Sequence, residues 1–343
     1  MFKGCYTAIV TPMKKDFTVD FEGLTSLLEY QIKERVNGIL AVGTTGESPV
    51  LNWNDHERVL EKVYECVNSR ILTIAGTGSN STEEAIAGTS FAEGVGIKAI
   101  LLVDPYYNGP SSLEIRKEYI QPIAYRFSEI QIIPYIIPGR TGTQLLPQDL
   151  AILHSDFTNV NAVKEATGDL RNMELTRKLC GDNFDILSGD DDKTSEMMVS
   201  PQIKAAGVIS VTSNIVPGAV HMMVQEFSKG NIRRASEISK ALDPLFKIVT
   251  VKTEEDTPFG RRIVKARNPL PYKTLMNILG IPAGPCKQPL GKMTQAGLNV
   301  ILEQVRKVYE NDYWILQPLE NFFDVDLNER LYNELYWKDL CYV

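Results

Sequence analysis

The sequence predicts an α/β protein, a (β/α)8 TIM barrel with a C-terminal helical extension. Short apolar runs rich in β-branched residues recur roughly every 20 to 35 residues, and helical patterns separate them, as in consecutive βα units. Polar residues follow several of these runs, where such a barrel has its active site. The 343 residues, 43% hydrophobic, suffice for one large barrel with additions. The predicted strands are 6–10, 38–42, 71–76, 99–103, 132–136, 160–165, 185–188 and 207–211.

The segments between the strands carry the signals of helices. Residues 21–36 place leucines at helical spacing on one face. Short polar side chains that accept backbone N–H bonds precede the next helices, and we expect them to be caps. The candidates for these caps are Asp55, Ser81 or Thr82, and Asp169.

The C-terminal third is predicted to be helical, with two exceptions. Helical patterns cover 220–228, 232–247, 271–279 and 294–309, whereas the charged stretch 250–265 is expected to be a loop or a frayed helix. The tail 313–343 is acidic and rich in aromatic residues, which does not suit a disordered segment. We expect the tail to dock on the barrel or on a neighbouring subunit. The predicted units are a catalytic barrel (1–215), a helical region (216–312) and the tail (313–343).

Composition excludes several classes of protein. The net charge is −7, the pI is about 5.3 and no basic stripe occurs, which argues against nucleic-acid binding. No apolar run is long enough to span a membrane, and no signal peptide is recognised. Five scattered cysteines, an odd number, indicate reduced thiols and a cytoplasmic protein. Three histidines in no ligand spacing make a metal site improbable.

Lys164 is the strongest candidate for chemistry. It lies at the end of a short apolar strand, where its amine would face the cavity that the strand borders. Burial disfavours the ammonium form, and a neutral amine forms Schiff bases with carbonyl substrates. The alternative is a lysine that extends its charge to solvent. Taken alone, Lys164 fits that alternative better; the other strand ends favour the Schiff base.

Two further strand ends carry candidate residues. Gly43–Ser48 follows strand 2, and its N–H groups and hydroxyls suit either a carboxylate cradle or a capped entry to a helix. After strand 5, Tyr135 can transfer protons and Arg140 can bind a carboxylate through two nitrogens. A core tyrosine and a surface arginine are the alternative.

Three other motifs have simpler explanations. Tyr106 and Tyr107 follow strand 4, where paired tyrosines often pack at an interface. The three aspartates 190–192 follow strand 7, but adjacent residues cannot all point at one Mg²⁺, so a turn with a helix cap is predicted. Residues 76–80 lack the spacing of a dinucleotide-binding loop.

Together these motifs resemble those of the dihydrodipicolinate synthase / N-acetylneuraminate lyase superfamily, class I aldolases on a TIM barrel. The resemblance extends from residue 2 to near 310, and Thr45 with Arg140-Thr141-Gly142 is similar to the dihydrodipicolinate synthase branch. It rests on Gly43-Thr44-Thr45-Gly46-Glu47, Pro105-Tyr106-Tyr107-Asn108, Tyr135-x-x-Pro138-x-Arg140-Thr141-Gly142, Lys164-Glu165-Ala166-Thr167-Gly168 and Gly207-Val208-Ile209-Ser210-Val211.

The resemblance implies a reaction and a catalytic set. Pyruvate would condense with L-aspartate 4-semialdehyde to give 4-hydroxy-tetrahydrodipicolinate, in lysine and diaminopimelate biosynthesis. Lys164 would form the Schiff base with pyruvate, and Tyr135 would donate and accept protons. Thr44 would link Tyr135 to Tyr107, which would reach over from the adjacent subunit. No metal or organic cofactor is implied.

The resemblance also implies ligand contacts. Thr45 would hold the pyruvate carboxylate, the backbone of Ile209 would line the pyruvate site, and Arg140 would bind the carboxylate of the semialdehyde. A homotetramer of tight dimers is expected, with lysine as a possible inhibitor at the tight interface. The residues that resemble this lysine site are Ser48, Trp53, His56, Asn80, Glu84 and Tyr106. The alternative for them is an ordinary polar interface.

Two departures and two competing functions stay open. Ile136 replaces the usual asparagine after the strand-5 tyrosine, and the chain adds a charged stretch near 253–262 and the tail. One competing function is another pyruvate-dependent lyase, for a sialic acid or a keto-deoxy sugar acid. The other is a non-catalytic barrel that serves as a binding protein.

Overall fold

Eight parallel strands close into a barrel in the computed structural model, which describes residues 2–67 and 69–342. The strands are β1 (Gly4–Ala8), β2 (Gly38–Ala41), β3 (Leu72–Gly76), β4 (Ala99–Val103), β5 (Gln131–Ile136), β6 (Ala162–Glu165), β7 (Asp185–Ser188) and β8 (Gly207–Ser210). Each pairs with the next, and β8 closes on β1 with Gly4 opposite Gly207. The predicted fold class is confirmed. The predicted unit boundaries at Met1 and Val343 lie outside the described residues.

Helices cover the outside of the barrel, and their starts follow the predicted caps. Ser81 accepts from the N–H of Glu84 and Asp169 from that of Arg171, whereas the helix near Asp55 begins earlier, at Trp53. The barrel helices are Phe21–Lys33, Trp53–Val67, Thr82–Val95, the consecutive segments Ser112–Glu114, Ile115–Ile120 (a π-helix) and Gln121–Arg126, then Pro147–Asp156, Leu170–Cys180, Thr194–Val199 and Pro217–Ser228.

Two apolar clusters form the core. One lies between strands and helices and extends into the C-terminal region. The other fills the barrel interior and includes Tyr6, Leu40, Leu101, Tyr135 and Ile209. Because side chains fill the interior, the barrel is not a pore, and a site of the kind found in such barrels lies at its mouth.

The C-terminal region is helical except for one hairpin. Its helices are Ile232–Phe246, Leu270–Leu279, Gln295–Asn311, Gln317–Phe323 and Leu327–Tyr332. The expectation of a loop or frayed helix over 250–265 is wrong, because β9 (Thr250–Thr257) and β10 (Gly260–Arg267) pair as an antiparallel hairpin. Side chains alternate between the two faces of the hairpin, and a tight turn at 258–259 joins the strands. The two strands therefore pair in spite of their high charge.

The tail docks on the chain's own barrel, as one of the two predicted arrangements. Phe322 and Phe323 pack on the ring of Tyr30, with centroids 5.0 and 5.2 Å away. Leu319 and Leu327 are fully buried. No helix among residues 2–67 and 69–342 is long and apolar enough to cross a membrane.

Candidate active site

Lys164 lies where the sequence places it, at the end of β6 on the inner side of the barrel. It is 4% exposed, and its Nζ lies 4.2 Å from the ring centroid of Tyr135, its register partner on β5. Burial lowers the pKa of Lys164 to about 8, although the carboxylates of Asp190 and Asp191 oppose the shift. Near neutral pH a useful fraction of the amine is therefore neutral and nucleophilic.

The surroundings of Tyr135 have opposing effects on the pKa of its phenol. Burial raises its pKa, whereas the Arg140 guanidinium and a hydrogen bond with the Thr44 side chain lower it. The phenol is thus neutral at rest and lies beside a hydroxyl and a cation that can stabilise a transient phenolate. The Thr44 contact is one link of the relay that the resemblance implies, and the relay to Tyr107 stays a prediction.

The loop after β2 is tightly anchored. Thr11 donates to the carbonyl of Gly46 at 2.7 Å, and a side chain at position 46 would come within 3.0 Å of Val42 Cα. Thr45 is buried and its Oγ1 accepts from Asn268 Nδ2 at 3.0 Å. These contacts fix the loop and the Thr45 hydroxyl at the mouth of the barrel.

A buried ion pair holds the end of this loop. Lys273 Nζ donates to Glu47 Oε1 at 2.7 Å, to the carbonyl of Thr11 at 3.0 Å and to that of Pro285 at 2.7 Å. Glu47 Oε2 accepts from the N–H of Lys287 at 2.6 Å, and both charged side chains are at most 1% exposed. The C-terminal region therefore clamps the loop from behind.

Arg140 lies at the mouth of the barrel, whereas Ile209 lies in its interior. Arg140 is exposed on the short helix Pro138–Thr141 and donates to the carbonyl of Asn268 at 3.0 Å. Its guanidinium borders the cavity that contains Lys164. Ile209 lies fully buried in the barrel interior, and Val211, two residues later, lines the cavity.

Tyr107 is not brought into the cavity by its own chain. It is 91% exposed and its φ is +80°, an unusual conformation for an aromatic residue. It lies on an exposed loop and is not among the residues that line the cavity with Lys164.

Asp190 is a site residue that the sequence interpretation missed. It lines the cavity with Lys164, and burial raises its pKa to about 6. The predicted turn leads into the short helix Asp191–Lys193, but the predicted helix cap is not formed by a side chain. Instead, Asp191 Oδ2 accepts from the N–H groups of Val211 and Thr212. The position of Asp190 shortly after the end of β7 was the signal that could have identified it. Among the described residues, no three His, Cys, Asp or Glu side chains are grouped as metal ligands would be.

The β9–β10 hairpin supplies site residues that were also missed. Thr250, Lys265 and Arg267 line the same cavity as Lys164 and Arg140. Arg267 Nη1 donates to the carbonyl of Gly139 at 3.2 Å, which ties the hairpin to the Arg140 helix. Their absence from the prediction follows from the wrong assignment of this stretch.

The six residues of the predicted lysine site form two groups. Ser48 Oγ lies 3.4 Å from His56 Nε2, and the rings of Trp53 and His56 are 4.8 Å apart. Burial lowers the pKa of His56 to about 4, so the ring is neutral at pH 7.

The second group is near the Ser79 hydroxyl, which donates to Glu84 Oε2 at 2.5 Å and lies 3.5 Å from Asn80 Oδ1. Burial and the charge of Glu84 raise the pKa of Tyr106. A second cavity is lined by Ser48 and Tyr106 together with Thr44, Tyr135 and Arg140, and these last three residues border both cavities.

A buried lysine at a barrel strand end, beside a tyrosine and a threonine, is the arrangement of a Schiff-base-forming enzyme of the class I aldolase type. The chain belongs to the dihydrodipicolinate synthetase family, whose model matches residues 1–307. The predicted family is thereby confirmed.

Relatives and solved structures agree with this membership. The 4-hydroxy-tetrahydrodipicolinate synthase of Methanococcus vannielii is 40% identical over 294 residues, 86% of this chain and 94% of its own length. The chloride-inhibited dihydrodipicolinate synthase of Acinetobacter baumannii, solved with pyruvate, is 32% identical with a TM-score of 0.81, and the match covers 90% of this chain and 99% of that one. The enzyme of Cyanidioschyzon merolae, solved with lysine bound, is 30% identical with a TM-score of 0.81, covering 90% and 98%.

Proposed function

We propose that the chain condenses pyruvate with L-aspartate 4-semialdehyde to give 4-hydroxy-tetrahydrodipicolinate, on the route to diaminopimelate and lysine. The observation that carries the proposal is the buried Lys164 amine 4.2 Å from the Tyr135 ring. The names of the relatives point to the same reaction.

The steps follow from the chemistry of the amine. Neutral Lys164 attacks C2 of pyruvate and, with loss of water, forms an imine. Tyr135 exchanges protons with Thr44, and removal of a proton from C3 gives an enamine. C3 then attacks the aldehyde carbon, the semialdehyde's own amine displaces Lys164, and the ring closes. Thr45 holds the pyruvate carboxylate, the Ile209 backbone lines the pyruvate site, and no metal or organic cofactor takes part.

Borohydride trapping tests the proposal. Protein incubated with pyruvate and borohydride is expected to gain one reduced pyruvate adduct on Lys164 by mass spectrometry, and Lys164→Ala is expected to gain none. Turnover with the semialdehyde should persist after dialysis against EDTA. An adduct without that turnover would instead support a lyase for a sugar acid, and no adduct on the wild-type protein would support a non-catalytic barrel.

Tyr107 is proposed to act from a partner chain in a homotetramer of tight dimers. Its 91% exposure and left-handed backbone support this role, because its own chain gives it no packing. Mixing inactive Lys164→Ala with impaired Tyr107→Phe tests it after the two variants exchange subunits. If Tyr107 acts across the interface, mixed dimers contain one intact site and regain activity. If it acts within its own chain, no mixed site is intact and activity stays low.

Lysine is proposed as a feedback inhibitor at the site of Ser48, Trp53, His56, Asn80, Glu84 and Tyr106. The carboxylate of Glu84 suits an ammonium group, and the aromatic rings suit its aliphatic stem. Glu84→Gln is expected to raise the lysine concentration for half-inhibition about tenfold, the cost of losing one charged hydrogen bond. The adjacent, exposed Glu83→Gln should leave it unchanged. Equal inhibition of both variants would exclude this site.

The cytoplasm is the proposed compartment, because the five cysteines are odd in number and scattered along the chain.

A further inference from the structure

The charges on the β9–β10 hairpin are unevenly distributed. Near the turn, Arg261 bonds Asp256 at 3.0 Å and lies 3.6 Å from Glu254, so these charges are compensated. At the end nearest the barrel, Lys252 and Lys265 are directly opposite each other in the register. Like charges in this position destabilise a two-stranded ribbon.

The cations at this end have no anionic partner in the part of the chain that the structure describes. None of the ion pairs found over residues 2–67 and 69–342 includes Lys252, Lys265 or Arg267. Repulsion by Arg267, Lys252 and Arg140 lowers the pKa of Lys265, which places these cations in one electrostatic neighbourhood. An anion bound among them would relieve the repulsion.

The cavity shows where such an anion would lie. Arg140, Lys164, Lys265 and Arg267 line it, and Asp190 is the carboxylate among the described lining residues. Lys164 lies deep at the end of β6, whereas Lys265 is exposed on the outer hairpin. Arg267 contacts Gly139, the residue before Arg140, so the two guanidinium groups belong to contacting segments.

We propose that Lys265 and Arg267 determine specificity for the acceptor aldehyde, by binding its carboxylate together with Arg140. The inference rests on the proposed function and adds a recognition element that the hairpin supplies. Pyruvate binds deeper in the cavity, at Lys164 and the loop Gly43–Ser48, and its binding does not depend on the hairpin. The hairpin would thus select an aldehyde with an anionic group over a neutral polyol aldehyde.

Three variants test the proposal. Lys265→Gln removes a charge without removing any hydrogen bond found for that side chain, so a folding defect is not expected. Arg267→Gln removes the second charge, and Arg267→Lys restores it without the planar fork. Arg262→Gln is the matched control, because it loses one charge from the same strand on the opposite face.

The measurements are KM and kcat for each substrate, at low and at high salt. Lys265→Gln is expected to raise KM for the semialdehyde about threefold and Arg267→Gln about tenfold. KM for pyruvate and the rate of trapping the pyruvate adduct should change less than twofold. Arg267→Lys should recover part of the loss, and the salt dependence of kcat/KM should weaken in both glutamine variants.

The outcomes separate the two proposals. If the wild-type protein turns over the semialdehyde and neither glutamine variant differs from Arg262→Gln, the hairpin has no recognition role and the proposed function stands. A fall in kcat with unchanged KM would also overturn the recognition role. If the wild-type protein forms no pyruvate adduct, the proposed function fails, and the hairpin proposal fails with it.

Discussion

The buried ion pair between Lys273 and Glu47 gives the sharpest test of how the site is held. Lys273→Met keeps the length of the side chain but removes three hydrogen bonds, and it leaves Glu47 buried with only the N–H of Lys287. Breaking a buried pair by removing one partner costs about 3–5 kcal/mol. The unfolding entropy is ~2.1 cal/mol/K per residue. For a protein of 343 residues, the loss of free energy therefore lowers the Tm by roughly 4–7 °C.

Thermal and urea unfolding measure this cost, and two variants define its origin. Lys307→Met breaks an exposed pair whose side chains are 49% and 63% exposed, so it should cost about 0–0.5 kcal/mol. Adding Glu47→Gln to Lys273→Met removes the orphaned charge and should recover at least ~1 kcal/mol. A loss under ~1 kcal/mol for Lys273→Met, or no recovery in the double variant, would refute the view that an uncompensated buried charge is the cause.

Two further predictions concern the Lys164 amine and the tail. The rate of pyruvate adduct formation should rise with pH through a midpoint near 8, because the lowered pKa of Lys164 leaves the reactive neutral amine in excess only above it. Asp190→Asn removes a charge that favours the ammonium form and should move this midpoint to lower pH; an unchanged midpoint would contradict the assigned interaction. Leu319→Ala, fully buried where the tail docks, should cost about 2–5 kcal/mol in denaturant unfolding. Leu335→Ala, 68% exposed, should cost under ~0.5 kcal/mol, and equal effects would mean that the tail does not contribute to the core.

Local sequence signals were sufficient for the barrel and for its main catalytic candidates. Strand spacing defined the βα units, and the polar residues at several strand ends together, not Lys164 alone, indicated a site at the mouth of the barrel. The hairpin was missed because its strands carry charge in place of an apolar face, so hydrophobic periodicity gave no signal. A Pro-x-Gly turn between alternating residues, 258–260, was the signal available.

The direction of loop side chains was beyond local reasoning. In the run 190–192, Asp191 turns inward to accept the N–H groups after β8, and this contact across 20 residues leaves Asp190 facing Lys164. The ion pair of Glu47 with Lys273 spans a still longer separation in the sequence. Contacts of this range depend on the completed fold, and a single sequence does not reveal them.

The distant contacts explain why a strained loop can be a reliable binding site. Val42 and Glu47, at either end of the Gly43–Gly46 turn, have φ values of +47° and +62°, which disfavour side chains. Such a conformation persists only where surrounding contacts hold it. The carboxylate of Glu47, fixed by Lys273 and the N–H of Lys287, holds one end, and β2 holds the other. The C-terminal region thus helps to hold a strained backbone conformation in which Thr44, Thr45 and Lys164 line one cavity, so the site is ordered before any substrate binds.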